Sequence, residues 1–130
     1  MLVRAQRNAR RLKLPVNLLQ MDAQQLGFPD AFFDTIFATF VFCSVPDPLQ
    51  GLAELRRVCR PDGRLLLLEH MRPANPVLGM LFDLLNPVTV RITGANINRR
   101  TLENLKTTGW RLLSVDNLSS DIVRWIEAAP

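Results

Sequence analysis

Residues 34 to 42, DTIFATFVF, form a β-branched and aromatic run with almost no polar break. A second run, RLLLLEH at 64 to 70, is equally apolar until its last two residues, Glu69 and His70. Continuous apolar runs of this length fit parallel strands covered on both faces, not the alternating strands of a half-solvated antiparallel sheet. Between them lies a helix with clear boundary signals. Asp47 can cap it, Pro48 suits the first helical position, and Gln50 completes a capping-box pattern. Leu52, Leu55, Val58 and Cys59 make its buried stripe; Pro61 is expected to stop it, and Asp62-Gly63 to turn the chain. Strand, helix, strand in this order predicts an α/β domain with right-handed crossovers.

The flanking segments extend the pattern. Residues 2 to 12 place Leu2, Ala5, Ala9 and Leu12 on one helical face, and Pro15 ends that helix. Residues 16 to 21 read as a strand that stops at Asp22. A loop carrying Gly27, Pro29 and Asp30 follows. The stretch from Pro73 to Asn98 holds Pro73, Pro76 and Pro87 around the apolar piece VLGMLFDLL, and reads as a partly helical insertion over the strand ends. Thr101 is expected to cap a helix finishing at Lys106 and Gly109. Strands at 110 to 116 and 121 to 128 suggest a closing hairpin with one antiparallel member.

A length of 130 residues allows one domain. Two cysteines, Cys43 and Cys59, make no secreted disulfide framework, so a reducing, cytoplasmic setting is expected. The first thirteen residues hold Arg4, Arg7, Arg10, Arg11 and Lys13 without an acid. That is the pattern of a solvated helix face, or of one drawn to anionic lipid at a membrane periphery. No aromatic residue is interleaved there, so nucleic acid is not an expected partner.

In an open α/β sheet, ligands bind outside the carboxyl ends of the strands. That rule selects Asp22-Ala23, the stretch from Thr39 to Ser44, and Glu69-His70. The Asp22 carboxylate can accept from an exocyclic amine such as that of adenine, and the Ala23 amide can donate to a ring nitrogen; a local cap is the alternative use of Asp22. Thr39, Phe40 and Val41 bring carbonyls and an aromatic face to a ligand, or are plain core. His70 is a weak candidate for a general base. Cys43 beside Ser44 has no base near it in sequence and reads as an inert thiol. With one histidine and cysteines sixteen positions apart, no metal site is expected. No two of the six glycines fall at the spacing of a G-x-G-x-x-G turn.

The run from Met21 to His70 resembles the second half of the class I S-adenosylmethionine-dependent methyltransferase fold. It is similar to the branch of ubiquinone/menaquinone C-methyltransferases, bacterial phosphatidylethanolamine N-methyltransferases and thiol-methylating enzymes. The matching pieces are Asp22-Ala23, the Leu26 to Asp30 turn, Phe33-Asp34, and an E-x-x-R-V-x-R-P-G-G signature at Glu54 to Gly63 with Asp62 replacing the first glycine. VFCSVPDP, Glu69-His70, G-A-N-I-N-R-x-T and the later G-W also fit. The resemblance implies a Rossmann-like sheet made of the family's strands 3 to 7 with the last antiparallel, and S-adenosyl-L-methionine as cofactor. It implies Asp22 and Ala23 at the adenine, Thr39, Phe40 and Val41 near the methionine part, and residues 71 to 98 as cover for a small-molecule or lipid acceptor. Met1-Leu2 would align just past the family's ribose-binding acid, so its first two strands and glycine-rich loop would be absent.

That absence has physical consequences. In the family order 3-2-1-4-5-7-6, losing strands 1 and 2 bares a long apolar edge on strand 4. The two remaining neighbours are expected to pair directly, or the N-terminal unit to detach, or a second chain to fill the gap. The chain alone is expected to bind S-adenosylmethionine weakly or not at all. The alternative reading is a non-catalytic interaction module, or a subunit completed by a partner.

Overall fold

The computed structural model describes the backbone of residues 2 to 13 and 15 to 130, and side chains from residue 3 onward except Leu14. The places expected for Met1 and for the Leu2 side chain lie outside the described residues. The elements are α1 (Leu2–Leu12), β1 (Phe33–Thr39), α2 (Pro48–Val58), β2 (Cys59–His70), α3 (Pro76–Thr93), α4 (Thr101–Thr107), β3 (Arg111–Ser119) and β4 (Val123–Ala129).

The four strands make one mixed sheet in the order β1-β2-β4-β3, with β1 parallel to β2 and both other pairings antiparallel. This is the 4-5-7-6 part of the expected order, including the antiparallel last strand. Residues 16 to 21 form no strand, which corrects the expectation. Their side chains are exposed, and the sole pairing nearby is an isolated bridge between Asp22 and Gln25. A strand exists through its ladder, and here no neighbour presents one. β1 is therefore an edge strand, and it ends at Thr39 instead of running to Phe42.

α2 is capped as the sequence indicates, with Asp47 Oδ1 accepting from the Leu49 and Gln50 amides at 3.0 and 3.1 Å. The reciprocal bond of the capping box does not come from Gln50. Gln24 Oε1 accepts from the Asp47 amide at 2.6 Å instead, tying the 22 to 26 segment to the start of α2. The helix ends at Val58, earlier than Pro61 would require, and Cys59 opens β2. Phe33 pairs with Cys59 but Thr35 with Arg64, so Arg60 to Gly63 bulge out of the ladder where a turn was expected. A Cβ on Gly63 would sit 2.8 Å from the Asp34 carbonyl oxygen, so the close approach of β2 to β1 at the bulge needs glycine.

α3 is longer than the sequence suggested, at eighteen residues. Pro76 occupies its first turn behind an Asn75 cap, where a missing N–H costs nothing, and Pro87 is accommodated inside it. α4 starts after Arg100, which makes no side-chain cap; Thr101 is its first residue and is buried. Gly109, at φ 84°, turns the chain out of α4.

The core lies on one face of the sheet. Leu65, Leu67, Ile126 and Ala128 meet Leu52 and Leu55 of α2, Leu105 of α4, Phe42 and Trp110. The Trp110 indole donates to the Leu52 carbonyl at 3.0 Å. The opposite face is largely open. Phe37 is 56% exposed, with its ring 5.7 Å from that of Trp125. The accessible surface is 8603 Å², against about 7000 Å² for a compact monomer of this mass. No described helix is long and apolar enough to cross a membrane.

Candidate functional site

The E-x-x-R signature is an anchor. Arg57 Nε donates to Glu54 Oε1 at 2.8 Å, and Glu54 Oε2 accepts from the Leu26 amide at 2.9 Å. The same guanidinium reaches the Leu26 and Phe28 carbonyls and the Asp30 carboxylate. Two side chains one helical turn apart thus pin the loop following Asp22-Ala23 against α2. The Arg57 guanidinium holds the Glu54 carboxyl below its usual range. The Ala23 carbonyl lies beside Gly51, where a Cβ would meet it at 3.6 Å and the Phe42 ring at 3.1 Å. Asp22 is exposed, and its Oδ1 accepts from the Gln24 amide at 2.9 Å. The local cap foreseen as its alternative use does form, while the carboxylate stays open to a further donor.

Chain direction changes sharply after β1. Phe40 adopts φ 50°, a left-handed conformation that a bulky residue enters at a cost. Its amide still donates to the Leu68 carbonyl at 2.8 Å. The next two amides, of Val41 and Phe42, both donate to Glu69 Oε1, at 2.8 and 3.0 Å. Glu69 is fully buried, and its Oε2 has no partner among the described residues. Burial pushes the Glu69 carboxyl above its ordinary range, and the amides of Phe42, Val41 and Cys43 pull the other way. The strand-end rule selects Glu69 together with His70 but assigns Glu69 no role of its own. The signal that reveals more is register: Leu65, Leu67 and Glu69 share the core-facing side of β2, where a carboxylate must have a buried partner.

His70 follows on the other side of the strand. Its ring stacks on Phe82 of α3 at 6.0 Å, and burial alone holds its imidazole below the ordinary value. Among the described residues no hydrogen bond orients that ring. Cys43 Sγ lies 3.3 Å from the Phe40 carbonyl and 3.6 Å from Ser44 Oγ, with no base beside it. No group of three or more acidic, cysteine or histidine side chains is placed to hold a metal among the described residues. The structure therefore brings the Ala23 carbonyl and the Phe42 ring together at Gly51 of α2, ties the Val41 and Phe42 amides to Glu69, and leaves His70 on the opposite sheet face beside Phe82 of α3.

Comparison with known proteins bears on the family and the fold. The sequence profile of a family described as "Methyltransferase domain" matches residues 1 to 67. The chain belongs to this methyltransferase family. Proteins resembling this chain include a demethylmenaquinone methyltransferase of Deinococcus radiodurans, 42% identical over 84 residues, covering 65% of this chain and 35% of that protein. A phosphatidylethanolamine N-methyltransferase of Cereibacter sphaeroides is 43% identical over 72 residues, covering 54% of this chain and 36% of that protein. This chain thus spans about a third of the length of these curated relatives. Among solved structures, the [4+2]-cyclase SpnF superposes with a TM-score of 0.74 at 26% identity, covering 93% of this chain and 42% of that one. The methyltransferase family fixes the fold and its cofactor, S-adenosyl-L-methionine. A cyclase on the same architecture illustrates that the fold leaves the reaction open. The profile match stops before α3, so the helix that lies over His70 is outside it.

Proposed function

We propose that this chain carries the adenine side and the acceptor side of an S-adenosylmethionine-dependent methyltransferase site. The observation that carries this reading is the strained Phe40 turn, clamped through Val41 and Phe42 onto Glu69 and standing beside the anchored Asp22-Ala23 segment. Asp22 takes the exocyclic amine of adenine, the Ala23 amide takes a ring nitrogen, and Thr39, Phe40 and Val41 line the methionine end. These residues fit the group: an open carboxylate, and an aromatic face 49% exposed on a rigidly held turn. The sulfonium supplies the activated methyl; the protein's part is to align the acceptor and keep water away. Methyl transfer then needs no strong base, and His70 serves as a wall beside Phe82.

The acceptor is a small, lipophilic molecule, and residues 71 to 98 are its cover, all within one partial domain spanning the chain. Val77, Met80, Leu84, Val88 and Ile92 form an exposed apolar stripe along α3. With Arg4, Arg7, Arg10 and Arg11 on α1, it fits a cytoplasmic enzyme making peripheral contact with an anionic membrane. Methyl transfer from labelled cofactor, measured with and without anionic liposomes, tests this; activity indifferent to liposomes removes the membrane contact.

A second reading rests on the open sheet face and free β1 edge. Phe37, Leu66, Leu68 and Trp125 lie on that face, and the accessible surface exceeds that of a compact monomer. A partner chain or a second copy completing the sheet would cover them. Sedimentation of the purified chain separates the two readings.

A further inference from the structure

Beyond the C-terminal end of β2, a cleft of 270 Å³ opens between the 71 to 74 strap, the start of α4 and β4. Four arginines line it, Arg72, Arg99, Arg100 and Arg124, against one acidic residue, Glu103. We propose that this cleft binds a phosphate group carried by the methyl acceptor, a proposal that rests on the methyltransferase reading above.

The arginines are not equivalent. Arg72 is locked from behind by Asp83, with Nη2 to Oδ2 at 2.9 Å and Nε to both carboxylate oxygens. Arg124 is held by the Asp121 carbonyl at 3.0 Å and, more loosely, by its carboxylate at 3.7 Å. Asp83 and Asp121 do not line the cleft, but they hold the Arg72 and Arg124 guanidiniums, and Asp121 also accepts from the amide of Ala74 at its edge. Arg100 makes a 3.4 Å contact with Glu103 in which both partners are well exposed, worth little and easily exchanged. Arg99 has no carboxylate partner among the described residues. It donates through Nη2 to the Val45 carbonyl at 2.8 Å, and its buried Nε has no acceptor. The cleft thus holds one uncompensated guanidinium and one weakly engaged one, beside two that are pre-oriented. A phosphate suits this set, because Arg100, engaged by one exposed 3.4 Å contact, can turn its fork to two phosphate oxygens while the other arginines add positive charge around it.

Location ties the cleft to the reaction. Arg99 bonds to Val45, and Asn96 Nδ2 donates to the Cys43 carbonyl at 3.1 Å, so one wall hangs from the turn that follows Thr39 to Val41. An acceptor whose phosphate sat here would lie at the carboxyl end of β2, on the acceptor side of the crevice. A single concave cleft holds one anion, whereas a nucleic-acid backbone would ask for a basic stripe.

The test is a titration of the full chain at constant ionic strength, followed through arginine Nε–H resonances. The probes are inorganic phosphate, O-phosphoethanolamine and a short-chain phosphatidylethanolamine below its micelle concentration. The expected result is saturable shifts of Arg99 and Arg124 with a dissociation constant of about a millimolar or tighter. Arg99→Met should weaken binding at least tenfold. Arg100→Gln, an exposed change that leaves the fold alone, should weaken it several-fold, and Arg11→Gln on α1 should not matter. Tighter binding of the lipid than of phosphate assigns a lipid headgroup; equal binding assigns a free phosphate compound; both support the site. Non-saturable shifts, equal shifts with chloride, or an unchanged affinity in Arg100→Gln overturn it. Phosphate binding in a chain whose shifts with a cofactor analogue centre away from residues 22, 23 and 39 to 41 would leave the cleft standing and defeat the methyltransferase reading instead.

Discussion

Glu69 Oε1 stands 2.8 Å from the Val41 amide nitrogen, joining the end of β2 to the turn that leaves β1. The same oxygen takes the Phe42 amide, so one buried carboxylate fixes two successive peptides just after the left-handed Phe40. Local strain of this kind persists where surrounding bonds over-determine it.

Glu69→Ala should therefore destabilise the chain by about 3 kcal/mol, from two orphaned buried amides and the volume lost. Glu69→Gln keeps an acceptor oxygen and should cost far less. The two also differ in pH response. Burial raises the native Glu69 carboxyl above its unfolded value, so the stability it contributes is present at low pH and declines as pH rises through the native value. Denaturation of wild type and Glu69→Gln across pH 4 to 8 checks this: wild type should gain relative to the variant on acidification.

Arg57 is the second joint. Arg57→Met removes bonds to Glu54, Asp30 and the Leu26 and Phe28 carbonyls. Because the pair is partly solvated, the Glu54–Arg57 coupling in a double-mutant cycle should be favourable but small. Glu54 titrates lower in the folded chain, so its contribution holds above the unfolded carboxylate value and vanishes as pH falls through the native one. Hydrogen exchange at Leu26 should accelerate in Arg57→Met while exchange in β2 and β4 stays slow.

Gly79 marks where α3 rests on its tether. A Cβ there would run into the Arg72 guanidinium, which is held by Asp83. Gly79→Ala should gain about 1 kcal/mol of helix propensity, offset by displacement of the Arg72–Asp83 pair. The melting temperature should then hardly move, while amide exchange along α3 increases. An unchanged exchange pattern would show that Arg72 does not tether the helix.

Several of these joints were legible in the sequence and others were not. The apolar runs around Ile36 and Leu65, and the Asp47-Pro48 start of α2, signalled the strand-helix-strand unit because local chemistry and burial agree there. Val16 to Met21 had strand composition but no ladder neighbour in the chain, and composition cannot supply one. Pro76 and Pro87 looked like breaks in α3; one falls where its missing N–H is harmless, and the helix absorbs the other. Asp22, Ala23, Thr39, Phe40 and Val41 were named from the rule about strand ends. The same rule selected Glu69-His70, but the clamping role of Glu69 required knowing that its oxygen meets amides 27 and 28 positions away.

The most direct test of the central claim is an amide-resonance titration of the labelled chain with S-adenosylhomocysteine up to millimolar concentration. The account predicts weak, saturable shifts concentrated at Asp22, Ala23, Thr39, Phe40 and Val41, abolished by Asp22→Ala. Tight binding, or shifts centred elsewhere and unaffected by Asp22→Ala, would contradict it.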